Sequence, residues 1–454
     1  MDIKIINSEK DNINIFFFPN NLRFFQVNNY TKQIIESYLY GDTLEQIENK
    51  FNIDNKTLSE LIAKIENFSK EELEPMKDIS FFDNKLEKLV ISLTDSCNLS
   101  CSYCYESMQE NFITKDSLNK KDIDRIFHVI TEKYDEIAII QIFGGEPLLR
   151  YELVEYIGST VNDLYNNNRL KIMPSIGIVT NATIINDKII DIFKKYNIKF
   201  TISFDGNPKS HDECRKFKNG DCSSEFILNN MDLLRSNNLF PSGIETTYTN
   251  HHKDQDHKII NMIDFMEKEF KINRFHITPV ILEENHPYYL KDVSDFIDSI
   301  DDMFSRKENK IFTSIVGRFI DTLIKKQQID YLCGAGITDL SISPDGRIYP
   351  CFMLFGAEDY VMGNIYDDNI YENNIFKNVK NQFIEKIKDS IKDCKNCYIK
   401  NLCHGCLGVN YIKNNDAFEP DSYSCEMYRA MIDRILINMS KLTNKNKNSS
   451  KGDA

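Results

Sequence analysis

Thr94-Asp95-Ser96-Cys97-Asn98-Leu99-Ser100-Cys101-Ser102-Tyr103-Cys104-Tyr105 sets three thiols in a C-x3-C-x2-C array, with an aromatic residue on each side of the last. Three thiolates on one short loop can hold three irons of a [4Fe–4S] cube and leave the fourth iron open to a small chelating molecule. A zinc knuckle needs a fourth protein ligand to close its tetrahedron, and none lies nearby in the chain. Buried structural cysteines are the other alternative; the spacing disfavours them.

The array follows an apolar run, 89–94, that reads as a strand. From about 85 to 310, strand and helix patterns alternate. Strands are expected at 137–143, 175–180, 199–204, 243–249 and 274–278, and helices around 121–134, 151–166, 184–196, 223–236, 257–269 and 289–307. Regular alternation implies a parallel sheet with helices outside. Six units are too few for a full eight-fold barrel, so the expected fold class is α/β, a partial (β/α)6 TIM-like barrel. Its chemistry should sit at the C-terminal strand ends.

The distinctive polar motifs fall at those ends. Gly144-Gly145-Glu146-Pro147 follows the second strand. Its glycines let backbone approach a ligand closely, Glu146 can accept from an ammonium group, and Pro147 can start a helix. Thr180 and Asn181 end the third strand, and Ser203 and Asp205 the fourth, with His211 and Arg215 shortly after. Small polar side chains there can read ribose hydroxyls and a carboxylate; helix capping and turn formation are the competing roles. Glu245 faces the pocket or the other sheet side, depending on register. His211 reads as a loop histidine.

Residues 1–75 open with short strand-like runs at 3–6, 13–18 and 22–27. Helical signals follow: Asn29 or Thr31 as the cap of 32–40, Thr43 starting a second helix and Asp54 a third. This is the pattern of a small winged-helix-like module. Residues 70–84 are acidic and read as a linker. Residues 311–440 hold Cys333-x12-Gly346-x4-Cys351, then Cys394-x2-Cys397-x5-Cys403-x2-Cys406, then Cys425, and end in a helix at about 424–441. Seven thiols exceed one mononuclear site and suit two clusters with one ligand short; zinc at the last four is the alternative. Cys214 and Cys222 fall outside these groups and read as ordinary thiols. The polar tail 441–454 is expected to be disordered.

Bulk properties bound the function. A net charge of −14 argues against a general nucleic-acid or anionic-membrane binder. No apolar stretch is long enough for a transmembrane helix, and Met1-Asp2-Ile3-Lys4 does not begin a signal peptide. A cytoplasmic location is expected. Disulfides are disfavoured there, so the patterned cysteines point to metal or cluster binding.

Over residues 85–310 these features resemble the radical S-adenosylmethionine (SAM) superfamily. The resemblance implies that Cys97, Cys101 and Cys104 hold the radical-generating [4Fe–4S] cluster, with Tyr103 in the usual aromatic position. It implies that residues 144–147 contact the methionine amino group of SAM. One-electron reduction of the sulfonium would then yield a 5′-deoxyadenosyl radical that abstracts hydrogen from an unactivated C–H. The cofactor carries that chemistry and the protein orients it. Gly144, Gly145, Glu146, Pro147, Thr180, Asn181, Ser203, Asp205, Tyr103 and Glu245 are the implied SAM-contacting set.

The cysteine-rich region resembles the SPASM extension of peptide-modifying radical enzymes, with one departure: two residues rather than three precede the sixth cysteine, Cys406. By analogy Cys333, Cys351 and Cys406 hold a nearer auxiliary [4Fe–4S] cluster with an open iron, and Cys394, Cys397, Cys403 and Cys425 a farther one. Residues 1–70 resemble the PqqD-like element that binds the leader of a precursor peptide by adding a strand to a sheet edge. A winged-helix DNA binder is the alternative there, but no Lys/Arg cluster marks the last helix and acidic residues follow.

The resemblance thus implies a maturase of ribosomally made peptides, of the sactipeptide or ranthipeptide type. It would form a thioether between cysteine sulfur and carbon, with ferredoxin or flavodoxin as donor and no nucleic-acid or membrane partner. Carbon–carbon cross-linking or formylglycine formation in a sulfatase is a second reading; an iron–sulfur regulator is a third.

Overall fold

The computed structural model describes residues 2–75, 82–104, 117–255, 257–306 and 311–449. Tyr105, part of the 70–84 linker and residues 450–454 of the tail lie outside the described residues.

Strands β1 (Lys4–Ser8), β2 (Ile13–Phe18) and β3 (Arg23–Val27) form an antiparallel sheet in chain order. All six residues of central β2 are buried because the sheet is covered on both faces. Phe16 and Phe18 pack with Ile34, Ile35, Ile47, Leu58 and Ile62 of the following helices, while Ile15 and Phe17 join the core of the rest of the chain. The alternation of β-strand side chains divides the run this way.

Those helices are Asn29–Leu39, Leu44–Phe51 and Asn55–Ser69. Asn28, not Asn29 or Thr31, caps the first: its side chain accepts from the Thr31 N–H at 2.7 Å. Asn29 is already helical, so its neighbour supplies the oxygen that reaches the third amide. Thr43 and Asp54 cap the other two, Thr43 in a reciprocal capping box with Gln46.

The main sheet starts with β4 (Lys85–Ser92). After the short β5 (Leu99–Cys101) come β6 (Glu136–Phe143), β7 (Ser175–Thr180), β8 (Lys199–Ser203), short β9 (Arg215–Phe217), β10 (Gly243–Tyr248) and β11 (Phe275–Pro279). β4, β6, β7, β8, β10 and β11 lie side by side in that order, all parallel. Helices including Lys120–Lys133, Tyr151–Asn166, Asp187–Lys195, Ser224–Ser236 and Ile259–Phe270 connect them. Parallel pairing puts every loop that leaves a strand's C-terminus at one end of the sheet. The first strand begins earlier than its apolar run, because Lys85, Glu87 and Lys88 are tolerated where the strand is only partly covered.

The third region is not a separate layer. β12 (Asp339–Ile342) pairs in parallel with the free edge of β4, and β13 (Arg347–Tyr349) and β14 (Gly363–Asn364) continue antiparallel, giving a mixed nine-stranded sheet. One continuous core runs through both regions. The helix Ser314–Lys325, absent from the sequence reading, packs near β11.

The last helix runs from Ser422 to Ser449, past the expected end near Lys441. Its Arg434 joins distant parts of the chain, donating to Asp11 Oδ2 at 2.6 Å and to Asp301 Oδ1 at 2.5 Å. Among the described residues no helix is long and apolar enough to cross a membrane.

Candidate functional site

A cavity of about 1240 Å³ opens at the C-terminal ends of the parallel strands. Cys97, Cys101, Cys104, Tyr103, Gly144, Gly145, Glu146, Thr180, Asn181, Ser203 and Glu245 line it. Asp205 and Pro147, also marked by sequence, do not. Pro147 starts the short 3-10 helix Pro147–Arg150.

Local pairing sets the cysteine loop. β5 is antiparallel to β9, with Cys101 opposite Arg215, and the Ser102 N–H donates to Cys214 O at 3.0 Å. Asn98 anchors the other side: its amide donates to Thr183 Oγ1 at 2.8 Å and its oxygen accepts from Asn181 Nδ2 at 2.9 Å. The same Asn181 nitrogen stands 3.8 Å from Cys97 Sγ, which also accepts from the Leu99 N–H at 3.4 Å.

Asp205 acts behind the loop. It is wholly buried, and its Oδ2 accepts from Tyr103 Oη and from Arg215 Nε, the latter at 3.2 Å. Thr247 N–H donates to Oδ1 at 3.1 Å. The Arg215 guanidinium also lies over the Tyr103 ring, 5.4 Å from its centre. Burial alone would raise the Asp205 carboxyl, but the Arg215 guanidinium beside it holds it below the ordinary carboxylate value. Asp205 therefore braces the loop, and Arg215 presents the charge at the cavity wall. Sequence marked Arg215 only as a loop residue; its pairing with a strand-end aspartate across a turn was the available signal.

The Gly144-Gly145-Glu146 turn clips onto the same loop. The Gly145 N–H donates to Thr94 O at 2.8 Å and the Glu146 N–H to Ser96 O at 2.9 Å. A Cβ on Gly145 would lie 2.5 Å from Ser96 O, and one on Gly144, whose φ is +138°, 2.4 Å from Thr94 O. Only glycine permits this approach at these two positions. Glu146 accepts from the Leu148 N–H at 2.9 Å, Thr180 Oγ1 at 2.8 Å and the Asn181 N–H at 2.7 Å. Burial nevertheless pushes its carboxyl up to about 7, so it is poised to gain from a cation placed beside it.

The C-terminal thiols fall into two sets. Cys333, Cys351 and Cys406 line the same cavity as the first loop. Cys333 is solvent-exposed by surface area, and the space it faces is that cavity. Cys394, Cys397, Cys403 and Cys425 sit outside it, close enough to one another for their charges to interact. Beside them the buried Lys388 donates to Lys400 O at 2.8 Å and Cys403 O at 2.7 Å. Cys214 is buried beneath the first loop and Cys222 is exposed.

Burial holds Cys97 up to about 12 and Cys101 and Cys333 up to about 11, so cluster assembly must displace protons from these thiols. Among the described residues no three His, Cys, Asp or Glu side chains converge on the scale of a single ion. The thiols gather instead as sets of three, three and four, the first two lining the cavity and the first with a glycine turn against it. That donor set fits iron–sulfur clusters.

Two family models match the chain: the radical SAM superfamily over residues 91–266 and the SPASM iron–sulfur cluster-binding domain over 333–398. An uncharacterized protein of Methanocaldococcus jannaschii is 31% identical over 288 residues, 63% of this chain and 90% of that protein. The radical SAM cyclopropyl synthase TigE of Paramaledivibacter caminithermalis is 24% identical over 90% of each chain. The cysteine-type anaerobic sulfatase-maturating enzyme of Clostridium novyi is 26% identical over 79% of this chain and 96% of its own. Two solved structures share the fold. The anSMEcpe structure with bound AdoMet has a TM-score of 0.65 at 20% identity, covering 78% of this chain and 95% of that one. Streptococcus suis SuiB bound to S-adenosylmethionine has a TM-score of 0.51 at 18% identity, covering 93% and 99%. The chain is therefore an enzyme that belongs to the radical SAM superfamily and carries a C-terminal SPASM iron–sulfur domain.

Proposed function

We propose that this enzyme matures a ribosomally synthesised precursor peptide by joining a cysteine sulfur to a carbon of another residue. The observation that carries the reading is one cavity of about 1240 Å³ lined by two separate three-thiol sets, Cys97, Cys101 and Cys104 from the first loop and Cys333, Cys351 and Cys406 from the C-terminal region. One set suits hydrogen removal from carbon and the other suits holding sulfur, and both reach the same cavity.

In this reading the first three cysteines hold the radical-generating cluster. Glu146 receives the SAM ammonium, with Thr180, Asn181, Ser203 and Glu245 around the rest of the cofactor. When bound, the cluster and SAM supply one-electron chemistry that removes hydrogen from an unactivated carbon. Asp205, through Tyr103 and Arg215, keeps the loop in place, and the Gly144-Gly145 turn fixes its distance from the strand ends. Cys333, Cys351 and Cys406 hold the nearer auxiliary cluster, and Cys394, Cys397, Cys403 and Cys425 the farther one, where Lys388 offsets part of its negative charge. Ferredoxin or flavodoxin supplies electrons.

The (β/α)6 core at 85–310 serves as a partial barrel, capped by the auxiliary domain at 311–440. The 1–75 module serves as a winged-helix-like leader binder whose outer strand β3 accepts an added strand. Its support is that SuiB, of the same fold, has been solved bound to the precursor peptide SuiA.

The test is anaerobic reaction with cysteine-bearing peptides encoded beside the gene. A product lighter by two hydrogens that no longer alkylates at cysteine supports the thioether; its formation from a cysteine-free peptide refutes it. Similarity to TigE along nearly the whole chain favours carbon–carbon bond formation as the second reading, which predicts the same mass loss with every thiol still alkylatable.

A further inference from the structure

The auxiliary site facing the cavity has three thiols, and the other cysteines have places elsewhere. A four-iron cube has four irons to ligate. A carboxylate stands beside this set. Cys333 begins the turn Cys333-Gly334-Ala335-Gly336-Ile337-Thr338-Asp339, which folds back on itself. The Asp339 N–H donates to Gly334 O at 2.9 Å, and the Gly336 N–H donates to Asp339 O at 3.0 Å. A Cβ on Gly334 would lie 3.1 Å from Asp339 Oδ1, so the carboxylate packs against the residue next to Cys333. Asp339 lines the cavity together with Cys333, Cys351 and Cys406.

Asp339 also has a second partner. It heads β12 in register with Lys88 of β4, and Lys88 Nζ lies 3.5 Å from Asp339 Oδ2. The Lys88 ammonium lies close enough to act on Cys351, Cys406 and Glu245 as well. One carboxylate oxygen thus meets a cation, while the other, beside Gly334, accepts from the neighbouring Thr338 Oγ1 at 3.2 Å.

We propose that Asp339 is the fourth ligand of the near auxiliary cluster, an exchangeable carboxylate that a substrate thiolate displaces. This rests on the assignment of a cluster to Cys333, Cys351 and Cys406 made above. In the exchange an iron–oxygen bond breaks and an iron–sulfur bond forms, with no change of oxidation state. The thiol's proton goes to solvent, and the released carboxylate stays paired with Lys88. Carboxylate is a harder, weaker partner for this iron than thiolate, so the site stays closed to water yet opens to sulfur.

The test uses the full-length protein, reconstituted anaerobically as wild type, D339A, D339N and C351A. Iron is counted, and the reduced near cluster is followed by EPR while 2-mercaptoethanol is added. The two Asp339 variants should differ from wild type in EPR before thiol is added. They should bind it at concentrations about tenfold lower, since no internal ligand competes, and give the wild-type spectrum once saturated. C351A should lack about four irons. Full iron in C351A overturns the cluster assignment itself. Loss of iron in C351A, combined with wild-type spectra and thiol titrations for both D339A and D339N, overturns the role of Asp339 alone.

Discussion

Arg215 Nε donates to Asp205 Oδ2 across 3.2 Å, joining the strand that pairs with the cysteine loop to the end of β8. Because Tyr103 donates to the same oxygen, one buried carboxylate holds both the loop and the cation at the cavity wall.

Removing that carboxylate should unsettle the site more than removing either donor. Asp205→Ala leaves a buried guanidinium unpaired and should cost about 3–5 kcal/mol. Tyr103→Phe loses one hydrogen bond and should cost about 1 kcal/mol. Urea unfolding ranks the two, and iron analysis should show the Asp205→Ala protein short of about four irons. An Asp205→Ala midpoint equal to wild type would contradict the bracing role.

Gly145→Ala tests the clip between the glycine turn and the loop. The added methyl would stand 2.5 Å from Ser96 O, a backbone atom that cannot swing aside. The loop must move, and SAM affinity should fall by roughly a hundredfold, about 2.7 kcal/mol, in equilibrium dialysis. Affinity within twofold of wild type would show that the contact is slack.

The iron count should follow the grouping of thiols. Alanine at Cys97, Cys101 and Cys104 together should remove about four of about twelve irons and abolish 5′-deoxyadenosine formation. Alanine at Cys394, Cys397, Cys403 and Cys425 should remove a similar share while leaving SAM binding in place. Zinc recovered from the latter four in the wild-type protein would replace the farther cluster with a structural ion.

Acid should destabilise the fold through its buried histidines. Burial lowers His211 and His252 from 6.5 to about 4, so both are neutral when folded. Between those values the unfolded chain binds protons that the folded chain refuses. Stability therefore falls as pH drops below 6.5, and these groups contribute no slope above it. Each should cost about 1 kcal/mol near pH 5.5. Urea midpoints at about pH 7.5 and about pH 5.5 measure the drop, and His252→Gln should reduce it by about 1 kcal/mol. An unchanged drop in that variant would assign the proton uptake to other groups.

Much of this site could be read before any coordinates. Cys97, Cys101 and Cys104, the Gly144-Gly145-Glu146 turn, and the thiols beyond 333 are distinguished by spacing along the chain. Spacing is local information. The six parallel strands were equally readable, since each is a short apolar run between helical periods. Where boundaries moved, periodicity did not register the cause: the Asn28 side chain met the Thr31 amide, and β4 tolerates charged residues where it is only partly covered.

The sequence by itself determined which thiols group together by spacing and the order in which strands and helices follow one another, because spacing and periodicity are properties of neighbours in the chain. Only the tertiary structure decided that β12 adds to the edge of β4, which sets Asp339 beside Lys88 and turns Cys333, Cys351 and Cys406 toward the cavity of Cys97. It likewise turned Asp205 inward, away from the cavity and onto Arg215 and Tyr103. Those outcomes depend on ladder hydrogen bonds and on the pairing of buried charges between segments far apart in the chain, which no local pattern specifies.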